Sequence, residues 1–578
     1  MTTLLPRVAA AALFLAPLPL AAQGTVTSAD PRATQAGAEI LRQGGSATDA
    51  AMAMMLALTV VEPQSSGIGG GGFLVHHDAK TGQVETIDGR ETAPAAATPQ
   101  RFVTADGTPM PFIQAFPGGR SVGVPGNVRL MELAERKWGR LPWKALFAPA
   151  IRLAEQGFVV NRRLAESTAM VAPLWTGARA DVPAAEGGAS VGQARGGRFP
   201  AIAALYARDG KPLTEGETVK NPALAKVLRK LAAAGPDAFY TGANAAALLK
   251  AATGSPVAPS EMTAADLAGY RAKERPAICG AYRTYKVCGM GPPSSGAVTV
   301  LQILGMLERF DLKAMGKDSP QAWHLIAEAM QLAYADRDTY LGDPDFVAMP
   351  LAGLLDPAYI RARSALISPA RTLGTYAPGT PPGAPPRTAA VSSEVPATTH
   401  FVAVDAAGDI VSMTSTVEGP FGSQLLANGY VLNNELTDFT FAPERDGRPV
   451  ANRVEGGKRP LSSMAPTIVY DAAGKPVFAV GAAGGRTIIM QVAKALIAHL
   501  DWGLPARDAI TEGLVFFGKD GLVLEQGSNR VGLQPALEAL GHKVSVGRLG
   551  LKANAAERTA TGWRGAADPR SPGTAIDG

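Results

Sequence analysis

Thr398-Thr399-His400-Phe401-Val402-Ala403-Val404-Asp405-Ala406-Ala407-Gly408-Asp409-Ile410-Val411-Ser412-Met413-Thr414-Ser415-Thr416 is the stretch from which the fold can be read. Its apolar residues alternate on both sides of Ala406-Ala407-Gly408, the pattern of two strands joined by a tight turn. A three-residue loop ending in glycine predicts a type I turn closed by a left-handed residue, which sets Asp405 opposite Asp409. Continuing that register sets Thr398 opposite Thr416, so that two hydroxyls become neighbours. Before the hairpin, Arg371 to Ala397 crowds Pro378, Pro381, Pro382, Pro385 and Pro386 with Gly374, Gly379 and Gly383, a composition that holds no regular structure. A threonine between such a tail and a core strand suits a processing point. Cutting the Ala397–Thr398 bond would put an α-amine with a pKa of about 8 on the same residue as the Oγ nucleophile, so no separate histidine is needed as base. Taken alone, Thr398 reads as an ordinary strand start; the surrounding motifs decide otherwise.

Working outward, Ala36 to Thr59 has helical spacing. Gly67-Ile68-Gly69-Gly70-Gly71-Gly72 then leads into the strand-like Phe73-Leu74-Val75-His76-His77. Helical patterns run from Asn127 to Leu164, from Pro222 to Lys250 and from Trp323 to Tyr340. A second strand pair is expected at Gly429 to Asn433 and Thr467 to Tyr470. Arg7, the apolar run Val8 to Leu20 and the small residues Ala21 and Ala22 read as an export signal cleaved after Ala22, which predicts a periplasmic or secreted protein. That run is too short to span a bilayer and no other is longer, so no integral membrane segment is expected after its removal. The 578 residues are 46% hydrophobic and 18% charged, the composition of a globular protein with a large core. A net charge of +5 with no long Lys/Arg run implies no nucleic-acid partner. The two cysteines, Cys279 and Cys288, flank a segment able to fold as a short hairpin; a disulfide and two structural thiols are both compatible with that spacing.

Several motifs together carry a resemblance. They are Ser66-Gly67-Ile68-Gly69-Gly70-Gly71-Gly72-Phe73, Pro292-Pro293-Ser294-Ser295-Gly296, Tyr334-Ala335-Asp336-Arg337, Gly342-Asp343-Pro344-Asp345, Thr398-Thr399-His400, Asn433-Asn434, Arg459-Pro460-Leu461-Ser462-Ser463-Met464 and Gly484-Gly485. Over nearly all of the mature chain the sequence resembles the γ-glutamyltransferases, which are N-terminal-nucleophile hydrolases. The resemblance implies an α+β fold, the four-layer αββα sandwich. It also implies a precursor divided into a signal peptide (1–22), a large subunit (23–397) and a small subunit (398–578) sharing one core.

The same resemblance assigns roles. Thr398 is the nucleophile, Thr416 bonds its hydroxyl, and Gly484 and Gly485 offer N–H groups to an oxyanion. A γ-glutamyl donor carries a carboxylate and an ammonium on one carbon, so its pocket needs cationic or hydroxyl donors beside acidic acceptors. Arg90 matches the family's carboxylate-gripping arginine, with Ser462 and Ser463 as hydroxyl partners. Glu435 and Asp438 match the ammonium acceptors. Glu418 falls where better-known members have asparagine, a third carboxylate that alters local charge and bears on donor preference. The stretch Phe439 to Pro449 differs from the longer covering loop of some members, a feature of the cephalosporin-acylase-like branch. The implied donors are γ-glutamyl compounds such as glutathione, and the acceptors are water, amino acids or peptides. A glutaryl or cephalosporin side-chain acylase and a non-catalytic exported γ-glutamyl peptide-binding protein are the competing readings.

Three other patterns are set aside. Gly67, Gly69 and Gly72 fit G-x-G-x-x-G, but helix precedes and strand follows, the reverse of a dinucleotide site, and no cofactor is implied. His76 and His77 on one strand point to opposite faces, and among six histidines no H-E-x-x-H occurs, so no metal is expected. Gly188-Ala189-Ser190-Val191-Gly192 matches G-x-S-x-G without the strand and helix of a nucleophile elbow.

Overall fold

The hairpin forms in the predicted register. Thr398–Val404 pairs antiparallel with Ile410–Thr416, Thr398 opposite Thr416, and Asp405 N–H donates to Asp409 O at 3.1 Å. Gly408 closes the turn at φ +91°, the left-handed residue that the three-residue loop requires. The computed structural model describes residues 24–176, 199–390, 395 and 397–578. The expectations for residues 1–22 and for Gly188 to Gly192 fall outside the described residues.

The hairpin occupies the middle of a seven-stranded antiparallel sheet. Its order is Thr574–Asp577, Thr25–Ser28, Thr398–Val404, Ile410–Thr416, Gly71–His77, Val84–Gly89, Lys273–Pro276. A second, six-stranded antiparallel sheet runs Gly562–Ala567, Lys552–Thr559, Pro476–Ala483, Thr467–Tyr470, Tyr285–Gly289, Ile278–Tyr282. Strands from both sides of Ala397–Thr398 contribute to each sheet. Alternation along Thr398–Val404 decides what lies where. Phe401 and Ala403 pack among residues of the helices Pro31–Arg42 and Ala47–Val61, whereas Val402 and Val404 pack with Phe478, Val480 and Ala555 of the second sheet. The helices Gly296–Leu307, Pro320–Tyr340 and Thr487–Leu500 cover the far face of that sheet. Helix, sheet, sheet, helix is the four-layer αββα order.

Local chemistry explains the elements. Ser46 caps Ala47–Val61 in a capping box with Asp49, and every residue of the helix is buried. Each of its Met and Leu side chains contributes ~1.5–3 kcal/mol by burial. The single helical run expected over Ala36 to Thr59 is two helices, because Gly44, at φ +84°, and Gly45 break it. The expected pairing of Gly429–Asn433 with Thr467–Tyr470 is corrected: Tyr430–Val431 pairs with Leu426–Ala427, and Thr467–Tyr470 lies between Tyr285–Gly289 and Pro476–Ala483. Cys279 and Cys288 stand opposite each other on their hairpin, Cα atoms 4.1 Å apart, and form a disulfide. His76 stacks on Trp138 while His77 meets Tyr470 edge-on, the opposite-face arrangement expected of neighbours on a strand. His400 lies between the sheets, its Nδ1 2.9 Å from Thr414 Oγ1. A Cβ on Gly481 would come within 2.3 Å of the imidazole, so glycine there makes room for the ring. Burial pulls the His400 pKa down to about 3, leaving it uncharged at neutral pH. Among the described residues no helix is long and apolar enough to cross a membrane.

Candidate active site

At the first residue of the central strand, Thr398 Oγ1 lies 3.1 Å from Thr416 Oγ1. Two further bonds fix where the protons sit. Glu418 N–H donates to Thr416 Oγ1 at 2.8 Å, and Thr416 Oγ1 donates to Ala397 O at 3.3 Å. A hydroxyl has one proton to give and two lone pairs to offer. Thr416 therefore gives its proton to the Ala397 carbonyl and accepts from both Glu418 N–H and Thr398 O–H. The Ala397 carbonyl is thus polarised by the threonine whose hydroxyl also meets Thr398 Oγ1. Glu418 holds this arrangement from a left-handed backbone, φ +74°, a conformation that costs a non-glycine residue ~1–2 kcal/mol.

Beside the threonines is a buried charge cluster. Arg90, at the end of the strand Val84–Gly89, pairs through Nη1 with Glu435 and through Nη2 with Asp438 at 2.5 Å. Its Nε donates to Pro460 O at 3.2 Å and Nη2 to Leu461 O at 2.9 Å, so the guanidinium plane is fixed on two backbone carbonyls. The carrying segment is pinned in turn: Arg459 pairs with Asp88, whose Oδ1 accepts from Arg90 N–H at 2.9 Å. Burial opposes the charge on Arg90, but Glu435, Asp438 and Glu91 more than offset it and hold the group cationic.

The acids are less well served. Neither Glu91 oxygen, nor Glu435 Oε2, is met by an N–H or O–H donor among the described residues. Burial pushes Glu91 up to about 8 and Glu435 well above the usual carboxylate range. Glu418 is raised as well, by burial and then by Asp438. Its Oε1 accepts from Val395 N–H at 3.0 Å and its Oε2 from Asn434 Nδ2.

Arg90, Thr398, Thr416, Glu418, Glu435, Asp438, Ser462 and Gly485 line one pocket, together with Val395, Met464 and Ile488. Eight of the ten residues singled out in the sequence therefore converge. Ser463 and Gly484 lie beyond the lining. Ser463 Oγ accepts from Arg337 Nη2 at 2.9 Å. Gly484 joins the strand Pro476–Ala483 to the helix Thr487–Leu500, and a Cβ there would meet Thr487 Oγ1 at 2.5 Å. Gly484 and Gly485 have φ +138° and +57°, values that favour glycine. Glu91 was not singled out by sequence reasoning, and its only signal was adjacency to Arg90; the apolar wall of Val395, Met464 and Ile488 had none. The Phe439–Pro449 stretch folds down, Phe441 stacking on Phe102 at 4.6 Å, and ends in a two-residue hairpin, Glu444–Arg445 with Arg448–Pro449.

A four-layer αββα core with a threonine leading the central strand defines an N-terminal-nucleophile hydrolase. The profile of the gamma-glutamyltranspeptidases matches residues 33–578, and the chain belongs to that family. It is 38% identical to the glutathione hydrolase proenzyme of Bacillus subtilis (strain 168), over 85% of this chain and 80% of that one. It is 35% identical to the acylase ACY 1 proenzyme of Pseudomonas sp. (strain SE83), over 90% and 87%. The crystal structure of cephalosporin acylase from Bacillus halodurans superposes with a TM-score of 0.82 at 26% identity, covering 97% of this chain and 98% of that one.

Proposed function

We propose that this chain is an exported, self-cleaving γ-glutamyltransferase and glutathione hydrolase whose nucleophile is Thr398. The observation that carries the reading is the contact of Thr398 Oγ1 with Thr416 Oγ1 at 3.1 Å, in a pocket shared with Arg90, Glu435 and Asp438. In maturation, Thr398 Oγ attacks the Ala397 carbonyl, the C–N bond to Thr398 breaks, and the hydroxyl proton passes to the freed nitrogen. Water then adds to the resulting ester, releasing the Ala397 carboxyl group and restoring Thr398 Oγ–H beside a new α-amine. The large subunit would be residues 23–397 and the small subunit 398–578.

In turnover the α-amine takes the Oγ proton, and Oγ attacks the γ-amide carbonyl of the donor. The N–H groups of Gly484 and Gly485 stabilise the oxyanion. Collapse expels the amine product, which takes up that proton, and leaves a γ-glutamyl ester on Thr398. Water, or the amine of an amino acid or peptide, then releases the acyl group. Donor recognition is an exchange: the donor's α-carboxylate replaces acids on Arg90, and its ammonium replaces the guanidinium on Glu435 and Asp438, so buried charges stay paired. Ser462 adds a hydroxyl at the carboxylate end.

Intact mass and amino-terminal sequencing test the cut: two chains, the smaller beginning at Thr398, are expected from the native sequence and one chain, inactive, from Thr398→Ala. A cut or active Thr398→Ala protein would remove Thr398 from the mechanism. The structural likeness to cephalosporin acylase supports a second reading, a glutaryl acylase. Hydrolysis of γ-glutamyl and glutaryl anilides separates the two, and a strong glutaryl preference would overturn the first.

A further inference from the structure

Glu418 touches both sides of the Ala397–Thr398 bond. Its N–H holds the Thr416 hydroxyl that faces Thr398, and its carboxylate holds Val395 N–H, two residues before the bond, at 3.0 Å. Val395 itself lines the pocket that Arg90, Glu435 and Asp438 build. In the uncut chain, then, the segment before the bond occupies part of the donor pocket and a pocket carboxylate is its anchor.

Besides the Thr416 bond to Ala397 O, the other tethers of this segment lie further back. Thr388 Oγ1 bonds Asp446 at 3.2 Å, Arg445 bonds Ala389 O at 3.1 Å, and Ala390 N–H bonds Asp338 O at 3.1 Å. Ala397 O is held by Thr416 Oγ1 and Val395 N–H by Glu418 Oε1, so the two bonds together fix how the Ala397 carbonyl is presented to Thr398 Oγ. A carboxylate reaches Val395 N–H from Glu418 because Asn434 Nδ2 takes its other oxygen and the left-handed backbone turns the side chain inward.

We infer, building on the assignment of Thr398, that Glu418 is a positioning residue for self-cleavage, clamping the chain at Val395. The covalent step is the acyl shift and hydrolysis given above; Glu418 forms and breaks no covalent bond and gives up no proton. The tail is thereby held at the pocket until the cut.

The full chain made by cell-free synthesis, followed over time by intact mass, tests this. Glu418→Ala removes the acceptor and should slow the cut by ~10-fold or more, the range expected when a buried N–H loses its partner. Glu418→Gln keeps an acceptor oxygen for Val395 N–H, so it should be cut at a near-native rate. A Glu418→Ala chain cut at the native rate overturns the clamp. A Glu418→Gln chain cut far more slowly than the native chain also overturns it, and that readout stands even if the alanine variant does not fold. Failure of the native chain to be cut at Ala397–Thr398 would instead sink the assignment of Thr398 on which the inference rests.

Discussion

Two buried polar clusters in this molecule are made of similar groups and completed differently. In the first, His324 Nε2 lies 2.8 Å from Ser368 O, a carbonyl that can only accept, so the ring proton sits on Nε2. His324 Nδ1 is then the acceptor for His542 Nε2–H at 2.7 Å. Glu328, one helical turn on, accepts from Thr372 Oγ1 at 2.7 Å, Leu373 N–H at 3.0 Å and the Tyr376 hydroxyl. The ligand-type atoms of His324, Glu328 and His542 lie within 4.8 Å of one another, yet their lone pairs are committed to each other and to the 368–376 segment. In the second cluster, around Arg90, carboxyl oxygens of Glu91 and Glu435 meet no N–H or O–H donor. A closed network fixes a structure, whereas an open one is kept for a ligand that completes it.

The largest expected effect separates the two most sharply. Arg90→Ala removes the one cation that orders the second cluster and should raise KM for γ-glutamyl donors ~100-fold, within the range for truncating a buried, hydrogen-bonded charge. Because Arg90 contacts neither threonine, kcat should fall far less. Steady-state kinetics with a γ-glutamyl anilide checks this, and an unchanged KM would take Arg90 out of the donor site.

The hairpin was legible because period-two alternation and a glycine-closed turn specify register locally, and register alone brings Thr398 to Thr416. The spacing of Cys279 and Cys288 allowed a hairpin without deciding between a disulfide and two thiols, and the register decides it. Tyr430–Val431 was mispaired because a two-residue strand carries no alternation to read. The roles of Arg90, Glu435, Asp438 and Ser462 came from family resemblance, not from pattern, since Arg90 and Glu435 are 345 positions apart. Glu91 was missed for a physical reason: its importance lies in what it lacks, a donor, and only packing reveals that. Nor could any sequence signal show that the carboxylate of Glu418 reaches back to Val395.

The next effect belongs to the closed cluster. His542→Ala leaves His324 Nδ1 buried without a donor, a loss of ~1–3 kcal/mol, and also loosens the link between residues 320–340 and the carboxy-terminal part. A lower melting temperature with unchanged kcat and KM is expected. A drop in activity without a drop in melting temperature would make this cluster part of the catalytic apparatus and erase the contrast drawn above.

The smallest effect is a change of slope. Glu91 titrates at about 8 in the folded chain against an ordinary value of 4.5, because burial disfavours its charge. The folded state therefore holds a proton that the unfolded state releases at lower pH. Its contribution to stability is complete below about pH 4.5 and declines as pH rises to about 8. Glutamine resembles the protonated acid and does not titrate, so Glu91→Gln should flatten the fall of melting temperature between those values. If Glu91 instead ionised normally in the folded chain, the native and variant profiles would run parallel. The open cluster would then hold one more negative charge than burial favours.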